Sequence, residues 1–195
     1  MTKPEILSDY YWISHKSKID IIESQDIAEI ADEACEILCQ CAYSWMKLFN
    51  DDRSAKKCLK KAMAAKNATI SSDWRYVAWA YKAALDDDQN FLKYIEKAFY
   101  FDKVGCDEFD SRIRCIELLV NFGFSQKAVE YIDMTNPLTT SQNLKLLVLE
   151  KETGLSSDSK LRKRMEQAEA SADDEKDFKD CITKRLEIFK ESRSG

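Results

Sequence analysis

The sequence predicts an all-α chain, a solenoid of antiparallel helical hairpins. Four Gly and two Pro in 195 residues are too few turn residues for a sheet protein, whereas helices joined by short links need few. Between Asp73 and Lys103, two apolar stripes at helical spacing flank an acidic turn. Trp74, Val77, Ala78 and Tyr81 stand at offsets of three, four and seven, and so do Phe91, Tyr94, Ile95 and Ala98. The pattern then recurs. Leu38, Ala42, Trp45, Ala55, Cys58, Leu59 and Ala62 lie 36 positions before Trp74, Ala78, Tyr81, Phe91, Tyr94, Ile95 and Ala98, and Asp51 and Asp52 precede Asp87 and Asp88 by the same 36. Moved forward by 37, Ala78, Tyr81, Phe91, Tyr94 and Ile95 meet Cys115, Leu118, Ala128, Tyr131 and Ile132. A fixed period of this size marks a stack in which each hairpin has too little apolar face to fold alone and buries it on its neighbours. A non-repetitive helical bundle is the competing architecture, since chance gives it some of the same spacings.

The elements follow in order along a single domain, residues 1–195. Residues 1–23 form an N-terminal cap: Thr2 and Pro4 open a helix, and Ile6, Leu7, Tyr10, Tyr11, Trp12 and Ile13 give it a broad apolar face. The alternative use of that aromatic cluster is a docking surface. Residues 24–137 hold about three hairpins. Ser24 caps a long helix with a stripe from Ile27 to Phe49; Asp51 or Asp52 caps the next, which ends near Asn67; Ser71 or Ser72 caps the helix that carries Trp74. Gly105 separates the central hairpin from a helix of Phe109, Ile113, Ile116, Leu119 and Val120, stopped by Gly123, and Ser125 starts a short helix to Met134. Residues 138–195 form a degenerate hairpin plus a C-terminal helix. Thr139 or Thr140 opens a helix with Leu144, Leu147 and Val148 as its stripe, stopped near Gly154. Ser156 or Ser157 opens another, anchored by Leu161, Met165 and Ala168, and the last helix offers Phe178, Ile182, Leu186 and Phe189. The polar end, ESRSG, is expected to fray.

Composition narrows the function classes. No run of about 18 apolar residues is present, so no membrane-spanning helix is expected. Acidic residues interrupt MTKPEILSDYYW before any apolar core, which does not fit a signal peptide. Seven Cys, an odd number at helical positions, suit free thiols in a reducing cytoplasm. A net charge of −5 argues against nucleic acid as the main partner.

Catalytic and metal chemistry find little purchase. His15 is the only histidine, and no orienting partner is placed beside it, so a solvated surface role is expected and most zinc and histidine chemistry is excluded. Cys35 and Cys39 share a helix face while Cys41 points elsewhere, so the three cannot converge on one metal and are expected to be buried structural thiols. Asp86, Asp88 and Asn90 imitate the opening of a calcium loop. Phe91 stands where that loop needs Gly, and Lys97 where it needs a bidentate Glu, so a polar interhelical turn explains them. Lys56, Lys57, Lys60 and Lys61 form a basic strip that suits a solvated outer face or, alternatively, an acidic partner or RNA. No cofactor is expected.

On Trp74, Val77, Ala78 and Tyr81, followed by Phe91, Ile95 and Ala98, and on their copies ending at Pro137, the chain resembles the tetratricopeptide repeat (TPR) family, whose hairpins carry W-x2-L-G-x2-Y and then A-x3-F. The resemblance covers about Ala34 to Pro137. It departs in the period, which exceeds the family's 34, and in Ala or Cys at the small position. The resemblance implies a right-handed solenoid with N- and C-terminal capping helices, and a concave groove, lined by the first helix of each hairpin, that holds a peptide. The positions facing that groove would be Arg75 and Trp79, Cys39 and Tyr43, and Arg112 and Ile116, with Lys82 one turn further on. Cys39 and Tyr43 depart from the Lys and Asn of the family's carboxylate-clamp members, which speaks against capture of chaperone C-terminal tails. The expected function is a non-catalytic protein-interaction module whose partner is another protein or peptide. A toxin-neutralising immunity protein or secretion chaperone is a close variant, since an acidic chain suits a basic partner. An RNA-associated helical repeat and an enzyme are further alternatives.

Overall fold

The computed structural model describes residues 34–65, 71–100 and 108–189; the N-terminal cap expected for residues 1–23, and His15 within it, lie outside them. Among the described residues there are nine helices and no strand: α1 (Ala34–Phe49), α2 (Asp52–Ala65), α3 (Ser71–Leu85), α4 (Asp88–Phe99), α5 (Glu108–Asn121), α6 (Ser125–Met134), α7 (Thr140–Thr153), α8 (Asp158–Ala170) and α9 (Glu175–Ile188). No helix among them is long and apolar enough to cross a membrane. The chain divides into two compact units, one up to residue 103 and one from residue 104, so the third sequence repeat opens the second unit.

In the first unit α1 pairs with α2 and α3 with α4, and the two first helices, α1 and α3, pack directly on each other. Most of the residues that repeat every 36 positions form its core, with Trp45, Cys58 and Tyr81 half-buried at its edge. Leu38, Ala42, Ala55, Leu59, Ala62, Val77, Ala78, Phe91, Ile95 and Ala98 are all buried, with the alanines of both hairpins sealed almost completely. Small side chains at these positions let helix backbones approach, and the larger partners fill the space between them.

The turns repeat as well. Asn50 and Asp86, 36 residues apart, both adopt the left-handed conformation, with φ of 50° and 52°, and Gly123, 37 further on, does so with φ of 82°. The first two close in the same way. The amide of Asn50 donates to the Met46 carbonyl (3.0 Å) and that of Asp51 to Trp45 (3.1 Å); Asp86 donates to Lys82 (3.0 Å) and Asp87 to Tyr81 (3.1 Å). This double closure satisfies the last carbonyls of the first helix. The following aspartate then caps the second helix: Asp51 accepts from the Ser54 amide and Asp87 from the Asn90 amide, both at 3.0 Å. Asn tolerates a positive φ and a β-branched residue does not. Asn50→Val is therefore expected to destabilise the first unit by about 1–2 kcal/mol, and Asn50→Gly to leave it unchanged or slightly firmer, by chemical denaturation.

In the second unit α5 pairs with α6 and α7 with α8, and α7 touches all four other helices. That surroundings-on-all-sides position explains why Leu146, Leu149, Asn143, Glu150 and Thr153 are buried on it beside the expected Leu144 and Leu147. Caps fall where the sequence places them. Thr139 accepts from the Gln142 amide, Ser157 from Lys160, and Gly154 ends α7 at φ of 68°. A hydroxyl in the first turn of a first helix reaches back to the end of its partner in both units: Ser71 Oγ donates to the Ala98 carbonyl (2.9 Å), and Thr140 Oγ1 to the Ser171 carbonyl (2.6 Å). Ser71 is thus a buried tie inside α3 rather than the residue that caps it.

Glu150 lies wholly buried on α7. Arg164 Nε of α8 binds its Oε2, Lys160 Nζ reaches Oε1 at 2.9 Å, and Ser156 Oγ donates to Oε1 at 2.9 Å. Lys160 also pairs with Asp133 of α6 at 2.9 Å, so the network spans three helices. Burial alone would push the Glu150 carboxyl up; the hydrogen bonds from Lys160, Arg164 and Ser156 and the Arg164 charge outweigh it and hold the carboxyl below its ordinary 4.5.

The last helix corrects one expectation. Of the expected stripe Phe178, Ile182, Leu186 and Phe189, only Phe189 packs on the core; the first three are 55%, 47% and 67% exposed, and α9 docks through the fully buried Cys181, with Ile188 and Phe189 partly covered. Cys181 and Ile188 lie on the flank beside that stripe, and spacing alone does not say which flank meets a neighbour.

Candidate functional site

The groove-facing positions proposed from the sequence fall in both units. In the first, Tyr43 of α1 and Trp79 of α3 occupy equivalent repeat positions on helices that touch, and their rings meet at 5.2 Å between centroids, tilted by 41°. Both are half-buried, so one part of each ring seals the α1–α3 seam and the rest faces outward. Lys47, one turn beyond Tyr43 and absent from the sequence-based set, holds its ammonium 5.7 Å from the Tyr43 ring centre. Arg75 lies one turn before Trp79, half-buried, with Nη1 3.4 Å from Ser71 Oγ.

Lys82 is differently engaged. Its Nζ lies between the carboxylates of Asp86 and Asp88 in the turn, which raise its pKa, while Lys82 in turn lowers that of Asp86. These acids, which imitate a calcium loop in sequence, clasp an ammonium of their own hairpin. Beneath this face, Tyr94 stacks with Trp74 (5.8 Å) and Tyr81 (5.4 Å), with Lys97 4.7 Å from the Trp74 ring centre.

The remaining two positions belong to the second unit. Arg112 is half-buried on α5, whereas Ile116 is fully buried among core residues. Ile116 therefore presents no surface for a partner. The turn from one helix face to the next places the side chain after Cys115 inward here, although its counterpart Trp79 reaches the surface.

The thiols are packing groups. Cys35, Cys39, Cys41 and Cys115 are buried, and the hydrogen bond with Cys35, followed by burial, pushes the Cys39 thiol well above its ordinary value. A protonated, enclosed thiol is a poor nucleophile and a poor ligand. Lys56, Lys57 and Lys60 stand exposed on the outside of α2, Lys56 paired with Asp52 at 2.7 Å. Among the described residues no group of His, Cys, Asp and Glu side chains is arranged to hold a metal ion. Comparison with family models, with curated proteins and with solved structures finds no match to this chain.

Proposed function

We propose that this chain is a non-catalytic protein-interaction module, a right-handed solenoid of TPR-like hairpins with capping helices, that binds a polypeptide across the α1–α3 face. The observation that carries the proposal is the half-buried Tyr43–Trp79 pair at equivalent repeat positions. Rings anchored on one side and open on the other are pre-organised for contact, and aromatic and Arg side chains supply most of the energy at interfaces. Lys47 and Arg75 flank the pair with positive charge, which suits a segment with apolar anchors and acidic groups. Buried free thiols are at ease in a reducing cytoplasm, which is the proposed location.

The test is a pull-down from the native host with wild type and with Arg75→Glu plus Trp79→Ala, the bound proteins identified by mass spectrometry and the fold of the variant checked by circular dichroism. Loss of one polypeptide from the folded variant supports the proposal. An unchanged set of partners overturns the assignment of this face.

A further inference from the structure

The second unit holds a groove of about 580 Å³ between α5, α7 and α9, and its charges are distributed unevenly. Its floor is apolar, made by Ile113 of α5 and by Leu144, Val148 and Leu149 of α7. Four carboxylates line it: Glu117 from α5, Glu152 from α7, and Asp177 and Asp180 from α9. Two lysines line it as well, but each is engaged elsewhere: Lys145 with Asp110 (3.1 Å) and Lys184 with Glu187 (2.6 Å). No ion pair among the described residues neutralises any of the four acids. The groove therefore combines an apolar floor with a net negative wall, contributed by all three helices that bound it.

We infer that this groove is a docking site for a basic amphipathic segment of a protein partner, one that presents aliphatic side chains to the floor and Lys or Arg to the four carboxylates. Charge complementarity selects the occupant. A wall of uncompensated carboxylates repels a phosphate backbone or an acidic peptide and attracts a cationic one. Glu152 adds to this at the C-terminal end of α7, where the helix dipole is itself negative. The apolar floor asks for more than charge. Val148 is its half-buried centre, while Ile113, Leu144 and Leu149 show only their edges, so an amphipathic segment that covers them gains a modest burial that a hydrophilic cation does not. The volume lies in the range that holds a few buried side chains. The site is separate from the Tyr43–Trp79 face, which carries the opposite charge, so either can fail without the other.

The test measures fluorescence anisotropy of a labelled amphipathic helical peptide of leucine and lysine, titrated with the full chain at low salt. Binding is expected, and Glu152→Lys plus Asp180→Lys is expected to weaken it on the order of tenfold, with the difference shrinking as salt is added. Glu166→Lys plus Asp173→Lys makes the same change in net charge at exposed positions outside the groove and is expected to leave affinity within about twofold. Val148→Asp, on the floor, is expected to weaken binding while preserving the circular dichroism spectrum. An alanine–lysine peptide of equal charge is expected to bind at least about tenfold more weakly than the leucine–lysine one. Equal losses in the two charge-reversed variants, or equal affinity for the two peptides, would reduce the effect to diffuse charge and overturn the proposal. Trp79→Ala serves as the separating control: unchanged affinity there assigns the peptide to the second unit, and loss there moves it to the first.

Discussion

Ala78→Arg is expected to abolish the folded first unit, seen as loss of far-ultraviolet helical signal and of cooperative melting at temperatures where the wild type is intact. Ala78 is wholly enclosed on α3, the helix that meets both α1 and α4. An arginine there must either push the helices apart or bury an unpaired guanidinium. Either costs several kcal/mol, about 5 kcal/mol at the upper end, comparable with the whole stability of many domains. Ala64→Arg is the matched control. The same substitution at an exposed position of α2 is expected to change stability by no more than about 0.5 kcal/mol. A wild-type melting curve for Ala78→Arg would refute the helix register described here.

The second large effect is expected at Arg164→Met, with a loss of about 2–4 kcal/mol in the second unit. The substitution leaves Glu150 wholly buried, with Lys160 and Ser156 as its remaining partners and without the nearest cation. The pH dependence follows from the sign of the shift. The Glu150 carboxyl is held below its ordinary 4.5 in the fold, so its stabilising contribution is complete above about pH 4.5 and is lost as pH falls through the lower folded value. In Arg164→Met burial meets less opposition and the carboxyl moves up, so acid unfolding should begin at higher pH than in the wild type. Glu150→Leu combined with Arg164→Met removes the stranded charge and is expected to regain most of the loss. Urea denaturation across the acid range checks all three variants. A double variant as unstable as Arg164→Met alone would show that shape rather than charge dominates at this site.

The first unit was largely legible because its regularity is local. A 36-residue period in Ala42, Trp45, Ala55 and Leu59 against Ala78, Tyr81, Phe91 and Ile95 reflects helices that meet their sequence neighbours, and Asp51 and Asp87 announce the caps that follow each turn. The left-handed residues Asn50 and Asp86 belong to the same signal. In the second unit the signal weakens where burial depends on distant partners. Periodicity assigned α7 one stripe, yet four helices surround it and bury even Glu150. It gave α9 the obvious apolar series, yet Cys181 faces the core. Charge neighbours were harder still. Lys82 lies one turn beyond Trp79, and nothing in that spacing shows that its ammonium sits on the carboxylates of Asp86 and Asp88. The carboxylates of the α5–α7–α9 groove come from three helices far apart in sequence, and no linear motif joins them.

The slender docking of α9 has a kinetic meaning. Cys181 is the one fully enclosed anchor of this helix and three large apolar side chains stay in solvent, so much of its hold on α7 and α8 is polar: Arg185 on Glu169, and the Lys151 ammonium on the Glu187 and Ile188 carbonyls. Brief detachment of α9 is therefore expected to cost less than opening α7, which four helices surround. Burial keeps the Cys181 thiol protonated while α9 is seated, and each departure of the helix brings it to water. The seat of α9 thus joins one enclosed thiol to a rim of surface charges, and added salt, which screens the rim, is expected to speed amide exchange in α9 more than in α7.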